Sequence, residues 1–196
     1  MAEEGSMNFD KYADGYDAGW KGTKSARFYD DLIGEMEIKR GDNVLDVGCG
    51  TGTVLSYLAS KTDIKGYGLD VSEKMLDVAR EKNPEFEFVQ GDCTTLPYEN
   101  ESMDVMMACM AYHHFSDQKR FREEAYRVLK PGGRLYISDP RFPWVVRTVL
   151  NGCFKEAGFH TTAKNAKELS ESGFEVENTV KDCYVQVLSL VKKGEE

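Results

Sequence analysis

Three aspartates, Asp46, Asp70 and Asp92, stand about 22–24 residues apart, each at the end of a short apolar run. The first belongs to Val44–Gly52, VLDVGCGTG, where glycines occupy every second position at Gly48, Gly50 and Gly52. Glycine has no Cβ, so a ligand can approach the main chain closely at such a turn. A carboxylate at Asp70 can accept hydrogen bonds from both hydroxyls of a ribose. The third run ends in Gly91-Asp92-Cys93. There a side-chain carboxylate can accept from an exocyclic amine while a neighbouring N–H donates to a ring nitrogen, which together would read an adenine edge. Each acid alone is an ordinary cap or turn residue; the series points to one nucleoside.

The glycine spacing separates ligand classes. The dinucleotide fingerprint is G-x-G-x-x-G. Here the position of its third glycine is Thr53, and the glycine arrives one residue early as Gly52. A nicotinamide dehydrogenase is disfavoured by that misfit. A tight strand-to-helix turn without a ligand remains the plain alternative.

Other residues offer chemistry. His113 and His114 follow the fourth apolar run, and an imidazole that titrates near pH 6.5 can take a proton from an acceptor. The alternative is a pair that caps and packs the next helix. Tyr112 is a weaker candidate base, and Phe115, Phe142 and Trp144 read as core or lid residues. The five cysteines, at 49, 93, 109, 153 and 183, are odd in number and lack CxxC spacing. That argues against a disulfide framework or structural zinc and fits a reducing, cytoplasmic setting. No metal site is expected.

Positioning these groups requires alternating strands and helices. Asn43–Gly48, Gly66–Asp70, Phe86–Gln90 and Met103–Met110 read as strands, the last so apolar that both its faces must be covered, as in a parallel sheet. Helical spacing covers Arg27–Met36, Val54–Ala59, the stretch after a Ser72 cap, and Asp117–Leu129. Lys130-Pro131-Gly132-Gly133 reads as a helix stop before a fifth strand, Arg134–Asp139. The rhythm breaks over Arg141–Lys164, a candidate lid. Glu171–Phe174, ESGF, marks a helix-to-strand junction in preference to Glu156–Phe159, EAGF. Phe174–Val180 and Tyr184–Val191 are separated by three residues, short enough for a hairpin, so the last strand should run antiparallel. The reading is α/β, a doubly wound sheet in one domain over 7–196, with Met1–Ser6 outside the fold as a disordered or expression-derived tail.

Acidic residues number 34 against 25 basic ones, a net charge of −9, which disfavours nucleic acid and anionic membrane. A local basic cluster, Lys119–Lys130, is the exception, and reads first as the solvated face of a helix. No apolar run reaches the roughly 18–20 residues that span a bilayer.

Taken together, VLDVGCGTG, GLDVSEKML (Gly68–Leu76), QGDCTTLPY (Gln90–Tyr98), MACMAYHHF (Met107–Phe115) and RVLKPGGRLYISD (Arg127–Asp139) resemble the class I S-adenosylmethionine-dependent methyltransferases of the small-molecule type. The resemblance runs from about Tyr12 to Val191. It implies a Rossmann-like sheet of seven strands and S-adenosylmethionine as cofactor. It implies that Asp46 and the loop of Gly48, Cys49, Gly50 and Gly52 face the methionine part. Asp70 would hold the ribose, with Val71 and Met75 against the adenine, and Gly91, Asp92 and Cys93 at the adenine edge. The main chain near Cys109 would meet the methionine amino group, and Tyr16 its carboxylate.

The acceptor is then a small molecule, methylated at oxygen, nitrogen, sulfur or carbon. Base-amine methylation is disfavoured because Cys109-Met110-Ala111-Tyr112 stands where an acid or asparagine and two prolines would be needed. Ring-carbon methylation through a cysteine after proline fails because Cys109 follows Ala108. Arsenic methylation needs converging thiols, and two of the five lie inside cofactor motifs. A non-catalytic cofactor-binding module, or an enzyme acting on RNA or protein, stands as the alternative.

Overall fold

The computed structural model describes Asp10 and residues 20–153, 158–182 and 184–194, without the side chains of residues 20–27 and 153. Helix α1 (Trp20–Glu35) leads into β1 (Asn43–Val47), α2 (Thr53–Ala59), β2 (Lys65–Asp70), α3 (Glu73–Lys82) and β3 (Glu87–Gln90). There follow β4 (Met103–Cys109), a short 3-10 turn (Tyr112–His114), α4 (Gln118–Val128), β5 (Leu129–Pro140), α5 (Trp144–Cys153), α6 (Thr162–Glu171), β6 (Phe174–Lys181) and β7 (Val185–Lys192). The strands form one seven-stranded sheet in the order β3-β2-β1-β4-β5-β7-β6. Strands β1 to β5 pair in parallel, whereas β7 runs antiparallel to both β5 and β6. The expected hairpin is therefore present.

The continuous apolar character of the strands follows from burial on both faces. Leu45, Met106, Ala108, Leu135, Ile137 and Leu188 pack on one side with Phe121, Ala125 and Leu169 of α4 and α6. Val44, Val105, Met107, Tyr136 and Val187 point the other way, against Leu32, Leu55 and Leu76 of α1, α2 and α3. Ser72 caps α3 by accepting from the N–H of Met75, and Asp117 caps α4 by accepting from that of Arg120. These two caps fix where the helices start, and so where the strand-to-helix loops lie.

The helix stop at Lys130-Pro131-Gly132-Gly133 is present, since α4 ends at Val128, but the fifth strand starts at Leu129 instead of Arg134 and runs unbroken to Pro140. The β4–β5 register jumps from Met103↔Leu129 to Val105↔Arg134, so the extra residues form a bulge, with Gly132 at φ 76°. Helix α1 also begins seven residues before the expected Arg27. Within Arg141–Lys164, where the rhythm breaks, Trp144–Cys153 form α5; residues 154–157, which include half of the EAGF echo, lie outside the described residues. ESGF is the junction between α6 and β6, with Gly173 at φ 98°.

Candidate active site

The strand order reverses beside β1, whose neighbours are β2 and β4. In an open α/β sheet this is where a crevice opens beyond the carboxyl ends of the strands. A cavity of about 810 Å³ lies there, toward the upper end of the usual range for small-ligand sites. Asp46, Gly48, Cys49 and Gly50 line it from β1, and Asp70, Val71 and Met75 from β2 and α3. Gly91, Asp92 and Cys93 line it after β3, and Cys109 and His114 after β4.

The loop between β1 and α2 is held by main-chain bonds. The N–H groups of Gly48 and Cys49 both donate to Leu69 O, at 2.7 and 3.1 Å. Gly48 takes φ 77°, and a Cβ there would stand 2.5 Å from that of Ala111. Gly50 takes φ 50° with open space around it. Gly52 does not line the cavity; it packs on Ala79, Asn83 and Phe88 as α2 begins. Its φ of 71° and this close packing both favour a glycine there.

The three carboxylates differ in environment. Asp46 is buried, and its Oδ1 has no hydrogen-bond partner among the described residues. Burial, then the charge of Asp70, pushes its carboxyl from the ordinary 3.8 to about 8. Asp70 accepts from Gly50 N–H through Oδ2 at 2.8 Å and from Ser72 N–H through Oδ1 at 2.9 Å. The Val71 N–H bonds it as well, so about one of its roughly four lone-pair positions stays open. Burial raises its pKa, and the bonds to Ser72 and Gly50 oppose that rise. Asp92 closes a turn by accepting from Thr94 N–H at 2.8 Å.

The two candidate histidines separate. His114 lines the cavity, whereas His113 is buried behind it, its Nδ1 2.9 Å from Asp139 Oδ1. Its ring stacks on Phe159, with centroids 4.5 Å apart, and meets His114 at 3.9 Å. A third histidine, absent from the sequence reading, joins them. His160 lines the cavity with Gly158. Gly158 N–H donates to His113 O at 2.8 Å, and the Gln118 side chain bridges Tyr112 O and Gly158 O. All three histidines of the chain thus gather at one end of the crevice. Burial, then the nearby Lys164 cation, lowers the pKa of His160. Its only sequence signal is the aromatic-rich GFH after α5, a stretch without periodicity. Tyr16 lies outside the described residues.

Burial pushes the Cys93 thiol up to about 12, and the Cys49 and Cys109 thiols well above their usual range. None of the three is a thiolate nucleophile at neutral pH. Among the described residues, no cluster of three His, Cys, Asp or Glu could hold a metal ion.

Residues 45–137 match the family described as Methyltransferase domain. The demethylmenaquinone methyltransferase of Chlorobaculum tepidum is 36% identical over 129 residues, 66% of this chain and 52% of that one. Phosphoethanolamine N-methyltransferase 1 of Arabidopsis thaliana is 32% identical over 167 residues, 81% of this chain and 34% of that one. The chain thus spans between a third and about half the length of these relatives. A Haloferax volcanii methyltransferase, solved in complex with the Trm112 methyltransferase activator, superposes with a TM-score of 0.83 at 22% identity, over 95% of this chain and 98% of that one. Residues 45–137 carry the methyltransferase domain, and the chain has the fold of the class I S-adenosylmethionine-dependent methyltransferases.

The cofactor of this family, S-adenosylmethionine, carries a sulfonium and an ammonium. The site suits such a cation. Asp46 presents an unpartnered buried oxygen, and the crevice wall at Gly50 has no side chain to fill it.

Proposed function

We propose that this methyltransferase transfers a methyl group from S-adenosylmethionine to a small-molecule acceptor at the end of the crevice lined by His114 and His160. The observation that carries this reading is the convergence of Asp46, Asp70 and Asp92, from three successive strands, on one cavity. Bound S-adenosylmethionine supplies a methyl group already activated on sulfur. Asp46 would hold the cationic amino-acid part, together with main chain at Gly48, Cys49, Gly50 and near Cys109. The remaining acceptor capacity of Asp70 would take the ribose hydroxyls. Val71, Met75 and the Gly91–Cys93 turn would receive the adenine. Gly52 and His113 would act from behind, by fixing the loop and the histidine cluster.

The protein's main task is alignment, which contributes roughly 7–11 kcal/mol in favourable cases. An acceptor protonated at neutral pH also needs a base. His114 and His160 face the cavity, and either would take that proton at Nδ1 or Nε2. The lowered pKa of His160 keeps it neutral and able to accept near pH 7. The stretch that carries Gly158 and His160 would close the acceptor side, as both lie on the cavity wall.

The relatives widen the acceptor set. One is named for a demethylmenaquinone, and another for the amine of phosphoethanolamine. RNA loses its main support, because the Lys119–Lys130 cluster is neutralised by carboxylates. Arg120 pairs with Glu123, Arg122 with Glu168, Arg127 with Glu124 and Lys130 with Asp104. Calorimetry with S-adenosylmethionine and its demethylated product tests the cofactor half. Radiolabelled methyl transfer across quinol, phenol, sugar-hydroxyl and primary-amine acceptors tests the rest. Tight binding without transfer to any of them would favour a non-catalytic module.

A further inference from the structure

The cavity has two electrical ends. Asp46, Asp70 and Asp92 line one of them. His160 lines the other, and the Lys164 ammonium lies 3.4 Å from its Nδ1 and 3.3 Å from its Nε2. Thr161 sets that contact. Its hydroxyl accepts from Lys164 N–H at 3.1 Å and starts α6 directly after His160, which brings Lys164 back one turn later. A second cation comes from α5. Arg147 is four residues from Asn151 and on the same face, and Asn151 bonds both main-chain groups of Phe159, next to His160.

Carboxylates stand near as well, and each is already engaged. Glu168 is shared, with Oε1 3.6 Å from Lys164 Nζ and Oε2 3.2 Å from Arg122 Nη1. Asp139 is held by His113 Nδ1 at 2.9 Å. The four charged side chains that act most strongly on His160 are Lys164, Glu168, Arg147 and Arg122, and three of them are positive. The field at this end is thus positive, in a chain of net charge −9.

We propose that the acceptor is methylated at an oxygen that carries a negative charge, a phenolate or a carboxylate, seated against His160 with the Lys164 and Arg147 cations behind it. This assignment rests on the cavity being the methyl-transfer site. A positive charge within about 4–6 Å favours the ionised form of a hydroxyl acid. A phenol that ordinarily ionises near about pH 10 is thereby drawn toward neutrality, and its proton leaves to solvent before transfer. With the acceptor already ionised, no base is needed. A lone pair of the oxyanion forms the O–C bond while the C–S bond breaks and its electron pair returns to sulfur. Oxyanion and sulfonium both end neutral. His160, kept neutral by the same cations, donates a ring N–H to the oxygen. An amine acceptor fares differently. It arrives as an ammonium, and its methylation leaves a positive charge on nitrogen beside Lys164; like-charge repulsion opposes both.

The test uses the full chain saturated with the demethylated cofactor, at about pH 8 so that His160 is neutral. Benzoate, 4-nitrophenolate and benzylammonium are titrated in turn, and the ring-proton NMR signal of His160, assigned by its loss in His160→Gln, reports binding. The two anions should move that signal to saturation, and benzylammonium should not. The tighter of the two anions identifies the source of the charge, phenol or carboxylic acid. Lys164→Met should weaken both anions about tenfold, and Arg147→Gln about threefold, with the affinity for the demethylated cofactor unchanged. Demethylated cofactor bound with neither anion moving the signal overturns the proposal and leaves the methyl-transfer reading standing. Benzylammonium binding as tightly as the anions overturns it too, as does unchanged anion affinity in Lys164→Met. Failure to bind the demethylated cofactor at all overturns the reading of the cavity, and the proposal with it.

Discussion

Asp46→Asn isolates the cost of holding a carboxyl in a dry site. In the folded chain that group titrates near 8, against an ordinary 3.8. Below about pH 4 it is neutral in both states and makes no difference to stability. As the pH rises from there to about 8, the unfolded chain loses this proton and the folded chain keeps it. Stability is therefore lost at about 1.4 kcal/mol per pH unit, and the loss stops once the folded group also ionises. Between about pH 5 and pH 8 the sum is roughly 3–4 kcal/mol. Asparagine cannot ionise and escapes this loss, although its unpartnered buried amide costs roughly 1–3 kcal/mol at every pH. The observable is thus the gap between wild type and variant as a function of pH. Urea unfolding of both proteins without cofactor, at intervals from about pH 5 to pH 8.5, should show the gap moving toward the variant by roughly 3 kcal/mol. That corresponds to about 6–12 °C in midpoint for a chain of this size. Parallel stability curves across this window would refute the reasoning, because they would mean that Asp46 is ionised and solvated in the folded state.

The same carboxyl predicts a proton linkage in binding. Near pH 7 it is neutral when the site is empty, and a cation beside it favours the carboxylate. Cofactor binding should release up to one proton and tighten as the pH rises toward about 8; calorimetry in buffers of different ionisation enthalpy reads this directly. Gly48→Ala combines a positive φ with a 2.5 Å contact and should cost roughly 2–4 kcal/mol of stability by urea unfolding. Gly50→Ala meets open space and should cost only about 1–2 kcal/mol while still weakening cofactor binding. Lys164→Met removes a cation that holds the pKa of His160 down, so that pKa should rise; with three histidines in the chain, their ring-proton NMR titrations are separable.

The strand tips were legible because a parallel sheet repeats one local grammar: apolar residues for two buried faces, then an acid or a glycine where the chain turns over the edge. Asp46, Asp70 and Asp92 each obey it, and the cavity includes all three. Lys130-Pro131-Gly132-Gly133 marked the end of α4 but hid the start of β5, for a physical reason. Proline and glycine report the local backbone, and both also fit a bulge in an extended strand when a partner strand is present. The partner was β4, and its pairing with Leu129 and Arg134 is not written in the four residues themselves. The histidines show a finer limit. His113 and His114 are adjacent and identical, yet a 3-10 turn sends one to Asp139 and the other to the cavity.

The acceptor side was the least legible part, and the reason is the same one that makes it informative. Strands and helices of the core are constrained by burial, so their sequence must show a period. The segment from Phe159 to Thr161 is held by point contacts instead: Asn151 on the main chain of Phe159, the Phe159 ring on His113, and Gln186 between Pro140 O and His160 O. Such contacts need particular residues at particular places and leave no periodic trace. They also leave that side of the crevice free to differ where the cofactor side cannot. The amphipathic pattern of α5 carries the complementary lesson. Its sequence shows that one face is apolar, but only the exposure of Val145, Val146 and Val149 and the bonds between Asn151 and Phe159 reveal that this face is turned outward.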